Sequence, residues 1–432
     1  MEDVSDYDVY VIGGGPAGSS AAWYLADQGI NVALIDRGKP IGSKNVSGGV
    51  LWGHDLKVLD EEWWKKAPIE RAIISKKIGL LTEDKAMLFD WDFEEWGHEP
   101  YVGFSILRAK FDRWLAKRAQ EAGADIYEGI AVDKLWIEKG EVKGIVQAGD
   151  KFKSKAVIVA DGANSRILIN SGLLTKPFSQ NDFYLGIKEV LTLPEETIEE
   201  RFGLNSEEGT AFEFILGGLP KNIVAGGFLY TNKRSLSLGV VVDLDTLPLG
   251  IHSYDVFEYY KQHPKIKRLI KDAKEEEYAA HFVPKGGLHM MPPLFGNGYV
   301  VVGDAAALCF SNGLVINGNG PAIRSGIEAA KVVSEAIKIG DTSSKFLSKY
   351  ATSLKSTYVL ENLIRFKNVE KFKDNPRIYS TYTPFILNFS EKLLREENKP
   401  REHLVKLLKQ ELKEAGINSI KAAIDLSGVR YL

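Results

Sequence analysis

The sequence predicts an α/β protein: a Rossmann-like nucleotide-binding unit, a second unit built on an antiparallel β-sheet, and a helical C-terminal region. Three observations predict it. A short β-rich run, YDVYVI (7–12), enters a glycine-rich turn and then a helix-like segment. Residues 183–243 hold several strand-like runs without long helices between them, and 343–432 read as mostly helical.

In chain order, PAGSSAAWYLADQ (16–28) carries small and apolar side chains at helical spacing, and NVALID (31–36) closes a βαβ unit. Residues 73–104 read as short strands with turns. RAKFDRWLAKRAQEAG (108–123) is an amphipathic helix stopped by Gly123, and a hairpin over about 131–148 and the buried strand AVIVAD (156–161) follow. FYLGIKEVL, TAFEFIL, NIVAGGFLY and SLSLGVVVDL are expected to form one antiparallel sheet. After a helical stretch around SYDVFEYYKQH (253–263) and then EEEYAAHFVP (275–284), YVVVGD (299–304) is again a buried strand, and PAIRSGIEAAKVVSEAIKIG (321–340) a helix. The first unit is therefore completed late in the chain. Residues 1–72, 106–175 and 285–342 are expected to form the nucleotide-binding domain, 73–105 and 176–284 the antiparallel domain, and 343–432 the helical region.

The chain has 432 residues, 44% hydrophobic and 26% charged, which excludes intrinsic disorder and a small disulfide scaffold. Its one cysteine, Cys309, can form no internal disulfide and cannot supply the four thiolates of an ordinary iron–sulfur cluster. The start, MEDVSDYDVYVIGGG, is acidic and enters a strand at once, unlike a secretory signal, so a cytoplasmic location is expected. No stretch of about 20 mainly apolar residues is free of interruption, leaving attachment at a membrane surface open. Net charge is −3, but residues 341–432 carry 17 basic and 11 acidic side chains, which leaves −9 for the first 340. A basic appendage on an acidic body suits an anionic membrane surface or an acidic partner, or else a solvated helical face. Nothing suggests nucleic-acid binding.

Gly13-Gly14-Gly15-Pro16-Ala17-Gly18 between strand and helix, with Asp36 ending the next strand, is a GxGxxG fingerprint in its proper context. Gly13 permits the tight turn, Gly15 lets a pyrophosphate approach the backbone, Gly18 allows helix and strand to pack closely, and Asp36 can accept from a ribose. The fingerprint alone does not choose between nicotinamide and flavin.

Two later segments do. One strand ends in Asp161-Gly162 and another in Gly303-Asp304 before small residues; the latter resembles the second FAD motif of glutathione-reductase-like and hydroxybenzoate-hydroxylase-like flavoproteins, in which the aspartate contacts the ribityl chain. A helix cap is the structural alternative for Asp304. Arg108 resembles the arginine reaching the flavin phosphate or ribityl region in that fold, with an ordinary surface arginine as alternative. The amides of Asn317-Gly318-Asn319-Gly320-Pro321 could face the flavin pyrimidine edge, where negative charge collects on reduction. Ala17, Arg37, Lys44 and Val132 complete the residues expected around the cofactor.

GSKNVSGGVLWGHDL (42–56) resembles the KNxSGG/KNxTGG segment of the electron-transfer flavoprotein:quinone oxidoreductases and their FixC-type relatives, and the resemblance extends through AAHFVPKGGLHMMPPLFGNGYVVVGDAAAL (279–308). It implies an FAD enzyme passing electrons to a membrane quinone, with Gly48 and Gly49 beside the isoalloxazine and Gly286 and Gly287 at the quinone pocket. A tight turn is the competing reading of each glycine pair. Lys285 stands where FixC-type relatives are expected to have an acidic residue. The cluster domain of the single-chain family members is missing, so the resemblance implies a separate small FixX-like ferredoxin carrying the cluster, and a two-subunit electron-transfer flavoprotein, bifurcating ones included. FAD does the chemistry, and no side chain is expected to act as a covalent catalyst.

IYSTYTPFILNFS (378–390) contains no charge, holds four aromatics and is bracketed by basic residues, which suits a bilayer interface and equally a core or subunit contact. His54, His281 and His289 lack the paired spacing of a zinc site; structural roles are expected, with His54 and His289 as candidates for proton delivery to a quinone. The rival readings are a geranylgeranyl-reductase-like enzyme saturating isoprenoid double bonds, an aromatic hydroxylase using a nicotinamide and oxygen, and a non-catalytic subunit that merely holds FAD.

Overall fold

A computed structural model describes residues 6–44, 49–174, 178–313 and 315–431. In chain order its strands are β1 (Tyr7–Ile12), β2 (Val32–Asp36), β3 (Gly49–Trp52), β4 (Ile69–Leu81), β5 (Ala86–Asp92), β6 (Gly103–Ile106), β7 (Asp125–Glu128), β8 (Lys134–Glu138), β9 (Glu141–Gln147), β10 (Asp150–Val159), β11 (Phe183–Thr192), β12 (Glu208–Leu216), β13 (Ala225–Thr231), β14 (Ser235–Asp243), β15 (Lys274–Pro284), β16 (Phe295–Gly296), β17 (Tyr299–Val301), β18 (Phe310–Ser311) and β19 (Ile316–Asn317).

The first sheet runs β16-β17-β10-β1-β2-β7, with the β8/β9 hairpin added to β10. Five of these strands, β17 to β7 in that order, are parallel, and β1 is central, with Val9 opposite both Ala156 and Val32. Its central strands are near-continuous apolar runs because they are buried in the first core, which also takes in Leu135, Val142 and Ile145 of the β8/β9 hairpin. Helix Pro16–Asp27 leaves the end of β1 and packs against helix Asn319–Ile339 so tightly that a β-carbon on Gly326 would stand 2.1 Å from the Ala17 carbonyl oxygen. The late strand β17 and helix 319–339 thus complete a unit begun at residue 7, and Tyr350 of the C-terminal region donates to the Val301 carbonyl at 3.1 Å within it.

The second sheet runs β15-β11-β14-β13-β12-β4-β6-β3, with β5 on β4. One face, bearing Phe212, Phe214, Leu229, Leu238 and Val240, packs under Phe257 and Tyr260 of helix Ser253–Gln262. The other face looks toward the first unit. Two expectations are corrected here. The four runs expected to form one antiparallel sheet do so as β11, β14, β13 and β12, but β4 of the same domain joins β12 in parallel, from Ala72 opposite Glu208 to Leu81 opposite Leu216. The strand after the KNVSGG segment, β3, pairs with β6 in this sheet instead of joining the nucleotide-binding unit, and β4 is a single strand of 13 residues beginning at Ile69. Both features depend on partners up to about 140 residues away, which local periodicity cannot name.

The C-terminal region is helical. Helix Thr383–Leu394 docks on the second sheet at Gly217, where a β-carbon would lie 2.5 Å from the Thr383 methyl. Among the described residues, no helix is long and apolar enough to cross a membrane.

Candidate functional site

The turn after β1 is a cradle that side chains would fill. Gly13 takes φ of +109°, and a β-carbon there would meet the Ala160 carbonyl oxygen at 2.3 Å; on Gly18 it would meet the Gly13 carbonyl oxygen at 1.9 Å. Over Gly15, by contrast, the nearest atom is an Arg108 guanidinium nitrogen at 3.8 Å, so the space in front of the helix N-terminus is open and faces a cation. Asp36 accepts from the amides of Gly14 at 2.7 Å and Gly38 at 2.6 Å, which fixes its carboxylate beside the turn. Each oxygen keeps a lone pair for a ribose hydroxyl. Ala17 is buried behind the turn, with its methyl 3.0 Å from the β-carbon position of Gly303.

Asp161, at the end of β10, accepts from the Ile167 amide at 2.9 Å through Oδ2, while Oδ1 is buried without a partner. Burial raises its carboxyl to about 6, against the opposing charge of the exposed Arg37. Lys44 is also exposed, and Val132 is half-buried against the first core, next to the stretch in which the Ile130 amide donates to the Asp36 carbonyl.

On the side toward the second sheet, six predicted residues converge. Arg108 opens helix Arg108–Glu121 and holds the buried Asp112 through two bonds of 2.8 Å; its Nη1 reaches Asn319 Oδ1 at 3.2 Å. Asn319 Nδ2 stands 3.3 Å from the β-carbon position of Gly49, and Asp304 Oδ1 lies 3.7 Å from that of Gly318. Burial raises the Asp304 carboxyl, opposed by the positive charge of Arg108 and His281. Gly303 donates its amide to Ser325 Oγ at 3.0 Å, which aims the start of this turn. Gly48 lies outside the described residues.

Beyond Gly49, Gly318 and Asn319 a cavity of about 340 Å³ separates the two units. Its far wall is the open face of the second sheet, where Glu213, Phe228, Gly239 and Lys188 face one another in one row across β12, β13, β14 and β11. The wall is mainly apolar and holds two buried ionisable groups, one at each end of that row, with Tyr230 nearby. Burial pushes the Lys188 ammonium well below its ordinary value, with Glu277 opposing. At one end of the cavity Tyr184 donates to Asp374 at 3.0 Å and contacts the Lys373 ammonium, and Lys285 pairs with buried Asp243 at 2.8 Å. This buried network joins the C-terminal helices to β11 and β14, and Lys285 belongs to it.

Gly286 and Gly287 do not line the cavity. Gly286, at φ +75°, presses on Cys309, with a β-carbon position 2.2 Å from its carbonyl oxygen, and its amide points at the Met290 sulfur at 3.2 Å. His289 is mostly exposed, 3.9 Å from Glu370. His54 bonds the Tyr101 carbonyl, stacks edge-on against Trp64, and is held below its ordinary value by burial. Among the described residues no group of three or more His, Cys, Asp or Glu side chains could hold a metal ion. Sequence reasoning missed Glu213, Lys188 and Tyr230. The signal for the first was present, a lone acid inside the apolar run TAFEFIL, but strand alternation assigns such a residue to solvent until the covering unit is known.

The chain matches the family model described as FAD dependent oxidoreductase over residues 8–98 and 103–227, and the one described as ETF-QO, ubiquinone-binding, over 183–283. The protein FixC of Salmonella typhimurium is 38% identical over 433 residues, covering 100% of both chains. The probable electron transfer flavoprotein-quinone oxidoreductase YdiS of Escherichia coli is 36% identical, covering 97% of both. In fold, the chain is similar to the crystal structure of a geranylgeranyl bacteriochlorophyll reductase-like protein from Thermoplasma acidophilum, with a TM-score of 0.68 and 22% identity over 97% of this chain and 99% of that one.

Proposed function

The chain belongs to the FixC family of FAD-dependent oxidoreductases related to electron-transfer flavoprotein–quinone oxidoreductase, and from that membership we propose that it passes electrons from a two-subunit electron-transfer flavoprotein to a membrane quinone. The observation that carries this reading is the cavity between Gly49, Gly318 and Asn319 on one side and the open face of the second sheet on the other. A mainly apolar slot of about 340 Å³ suits a flat, lipid-soluble ring better than a charged metabolite.

FAD, when bound, supplies the two-electron redox chemistry. The residues fit it: the cradle at Gly13, Gly15 and Gly18 takes the pyrophosphate, Ala17 packs behind it, and Asp36 takes the adenosine ribose. Arg37, Lys44, Val132 and Asp161 border the adenine-side half, and Arg108 with Asp304 borders the ribityl chain. Gly49 lets the ring approach the backbone. Gly303, Gly318 and Asn319 start turns whose amides offset negative charge on the reduced ring. Gly286 acts as a positioning residue, because without a β-carbon it closes on Cys309, whose sulfur lies 3.9 Å from the β-carbon position of Gly318, while Gly287 faces His289 and Glu370.

A chain with one cysteine needs a partner for any iron–sulfur cluster, and a FixX-like ferredoxin is that partner in this reading. An electron-bifurcating flavoprotein is one donor that this arrangement accommodates. Peripheral attachment to the cytoplasmic membrane goes through the basic, aromatic segment around Phe385 and Phe389, whose rings stack at 6.1 Å. Loss of liposome flotation on replacing those rings supports attachment, and unchanged flotation removes it.

The apolar wall would also admit an isoprenoid alkene. The deciding experiment is anaerobic: the flavin of the purified protein is reduced chemically, a soluble quinone analogue is added, and return of the oxidised spectrum is followed. Rapid reoxidation without direct reduction by NADH or NADPH is expected. Inertness to quinone with ready reduction by NADPH moves the assignment to an isoprenoid reductase or a hydroxylase.

A further inference from the structure

We propose that Glu213 is the acid that delivers a proton to the bound acceptor in the cavity, and that Lys76 holds its carboxylate in place between turnovers. This rests on the quinone reading above. Glu213 sits in mid-strand on β12, between Phe212 and Phe214, which point into the opposite core. Its own side chain lines the cavity shared with Gly49, Gly318 and Asn319. Its Oε2 is buried and makes no hydrogen bond, although the Lys76 ammonium of β4 stands 3.4 Å away. A buried carboxylate oxygen with an ion-pair neighbour but no hydrogen bond of good geometry is costly to keep charged.

The neighbours make this group titratable in the working range. Burial pushes the Glu213 carboxyl up to about 7, and the Lys76 charge opposes the rise. The other titratable and charged groups on the cavity side are Tyr230 on β13, Lys188 on β11 and, at the far end, Tyr184, Lys373, Asp374 and Tyr379, whose phenol burial holds above its ordinary value. Burial raises the Tyr230 phenol well above its ordinary value, so it stays neutral, and no second carboxylate of the sheet face shares the row with Glu213. Lys76 itself lies 5.1 Å over the Trp52 ring, which fixes its stem at the cavity edge, and it is the more exposed member of the pair.

The chemistry balances. A quinone reduced to quinol needs two electrons and two protons. FAD held at this site would supply both electrons and one of the protons, which leaves one further proton to come from the protein. The Glu213 O–H bond breaks, an O–H bond forms on the quinone oxygen, and the resulting carboxylate pairs with Lys76 until water at the Lys76 side returns a proton. An acid with its pKa near the working pH is suited to this task.

The test compares the flavin-loaded wild type with Glu213→Gln and Lys76→Met, each prereduced and mixed anaerobically with a soluble quinone across pH 5.5 to 9. The expected wild-type reoxidation rate falls as pH rises through about 7. Glu213→Gln should lose at least tenfold in rate at low pH, on the order of the usual contribution of a general acid, and lose the pH dependence. Lys76→Met should move the fall to higher pH, because removing the cation favours the neutral carboxyl. Infrared titration of the oxidised proteins gives an independent readout: a protonated-carboxyl band titrating near neutrality, absent in Glu213→Gln. A normal rate and pH profile in Glu213→Gln, or an unchanged band, overturns the inference while leaving the quinone reading intact. A wild type inert to quinone overturns that reading and the inference with it.

Discussion

Arg108 Nη1 donates to Asn319 Oδ1 at 3.2 Å, joining the first residues of two helices that lie 211 positions apart. The same guanidinium neutralises Asp112, which is fully buried, and lies 3.8 Å from the β-carbon position of Gly15. One cation therefore ties the phosphate cradle, the late helix and the cavity rim together.

Replacing Arg108 by Met should separate its two roles. Loss of the pair takes the guanidinium away from the buried Asp112 carboxylate and should cost about 3 kcal/mol in unfolding by urea. Adding Asp112→Asn should restore most of that stability without restoring FAD affinity, measured by fluorescence quenching of added flavin. Full recovery of affinity in the double variant would remove Arg108 from the cofactor site.

Two glycines of the cradle should behave differently. Gly18→Ala drives a methyl into the Gly13 carbonyl oxygen at 1.9 Å and should destabilise the flavin-free protein and abolish cofactor uptake. Gly15→Ala meets only Arg108 at 3.8 Å and should leave flavin-free stability within about 0.5 kcal/mol while weakening FAD binding. Thermal melts with and without FAD check both, and equal melting losses in the two flavin-free variants would contradict the assignment.

The difference between these glycines shows what the sequence could reveal. The Gly13–Gly18 turn is legible because a strand, a turn and a helix N-terminus are encoded within a few residues of one another, whereas Arg108 carries no such local mark and enters through the family resemblance alone. The parallel pairing of β4 with β12 and the placement of β3 beside β6 are not legible, since a strand's partner leaves no local mark. Glu213 was hidden for a related reason: alternation tells which face a residue takes, and only the opposing unit decides whether that face is wet. Lys285 departs from the expected family pattern in sequence, and the structure supplies its partner in Asp243, carried on a strand 42 residues earlier.

Lys285→Met should therefore be costly and pH-dependent. Asp243 is only 2% exposed at its side chain, burial already raises its carboxyl, and Lys285 is the cation that opposes the rise. Without the lysine the native state holds a proton on Asp243 that the unfolded chain releases above its ordinary carboxylate range. More protons bound in the native state means that stability falls as pH rises. The variant should lose about 3 kcal/mol at pH 8 and less at pH 5 in urea unfolding. Equal losses at both values would show that Asp243 is not the group left unpaired.

Asp161 offers the same linkage without a salt bridge to break. Its carboxyl is raised to about 6 by burial, and Oδ1 has no partner. Between pH 4 and 6 the native flavin-free protein binds this proton and the unfolded chain does not, so its contribution to stability declines across that window as pH rises and stays low above it. Asp161→Asn keeps an acceptor for the Ile167 amide and places a neutral group where the orphan oxygen was. The flavin-free variant should be more stable than wild type by about 2 kcal/mol at pH 7, with the advantage vanishing near pH 4. If Asp161 borders the cofactor, FAD should also melt out of the variant at a lower temperature despite the stabler fold. Opposite signs in the two measurements distinguish a residue kept charged for a ligand from one kept for the fold, and stabilisation with unchanged FAD retention would assign Asp161 to neither.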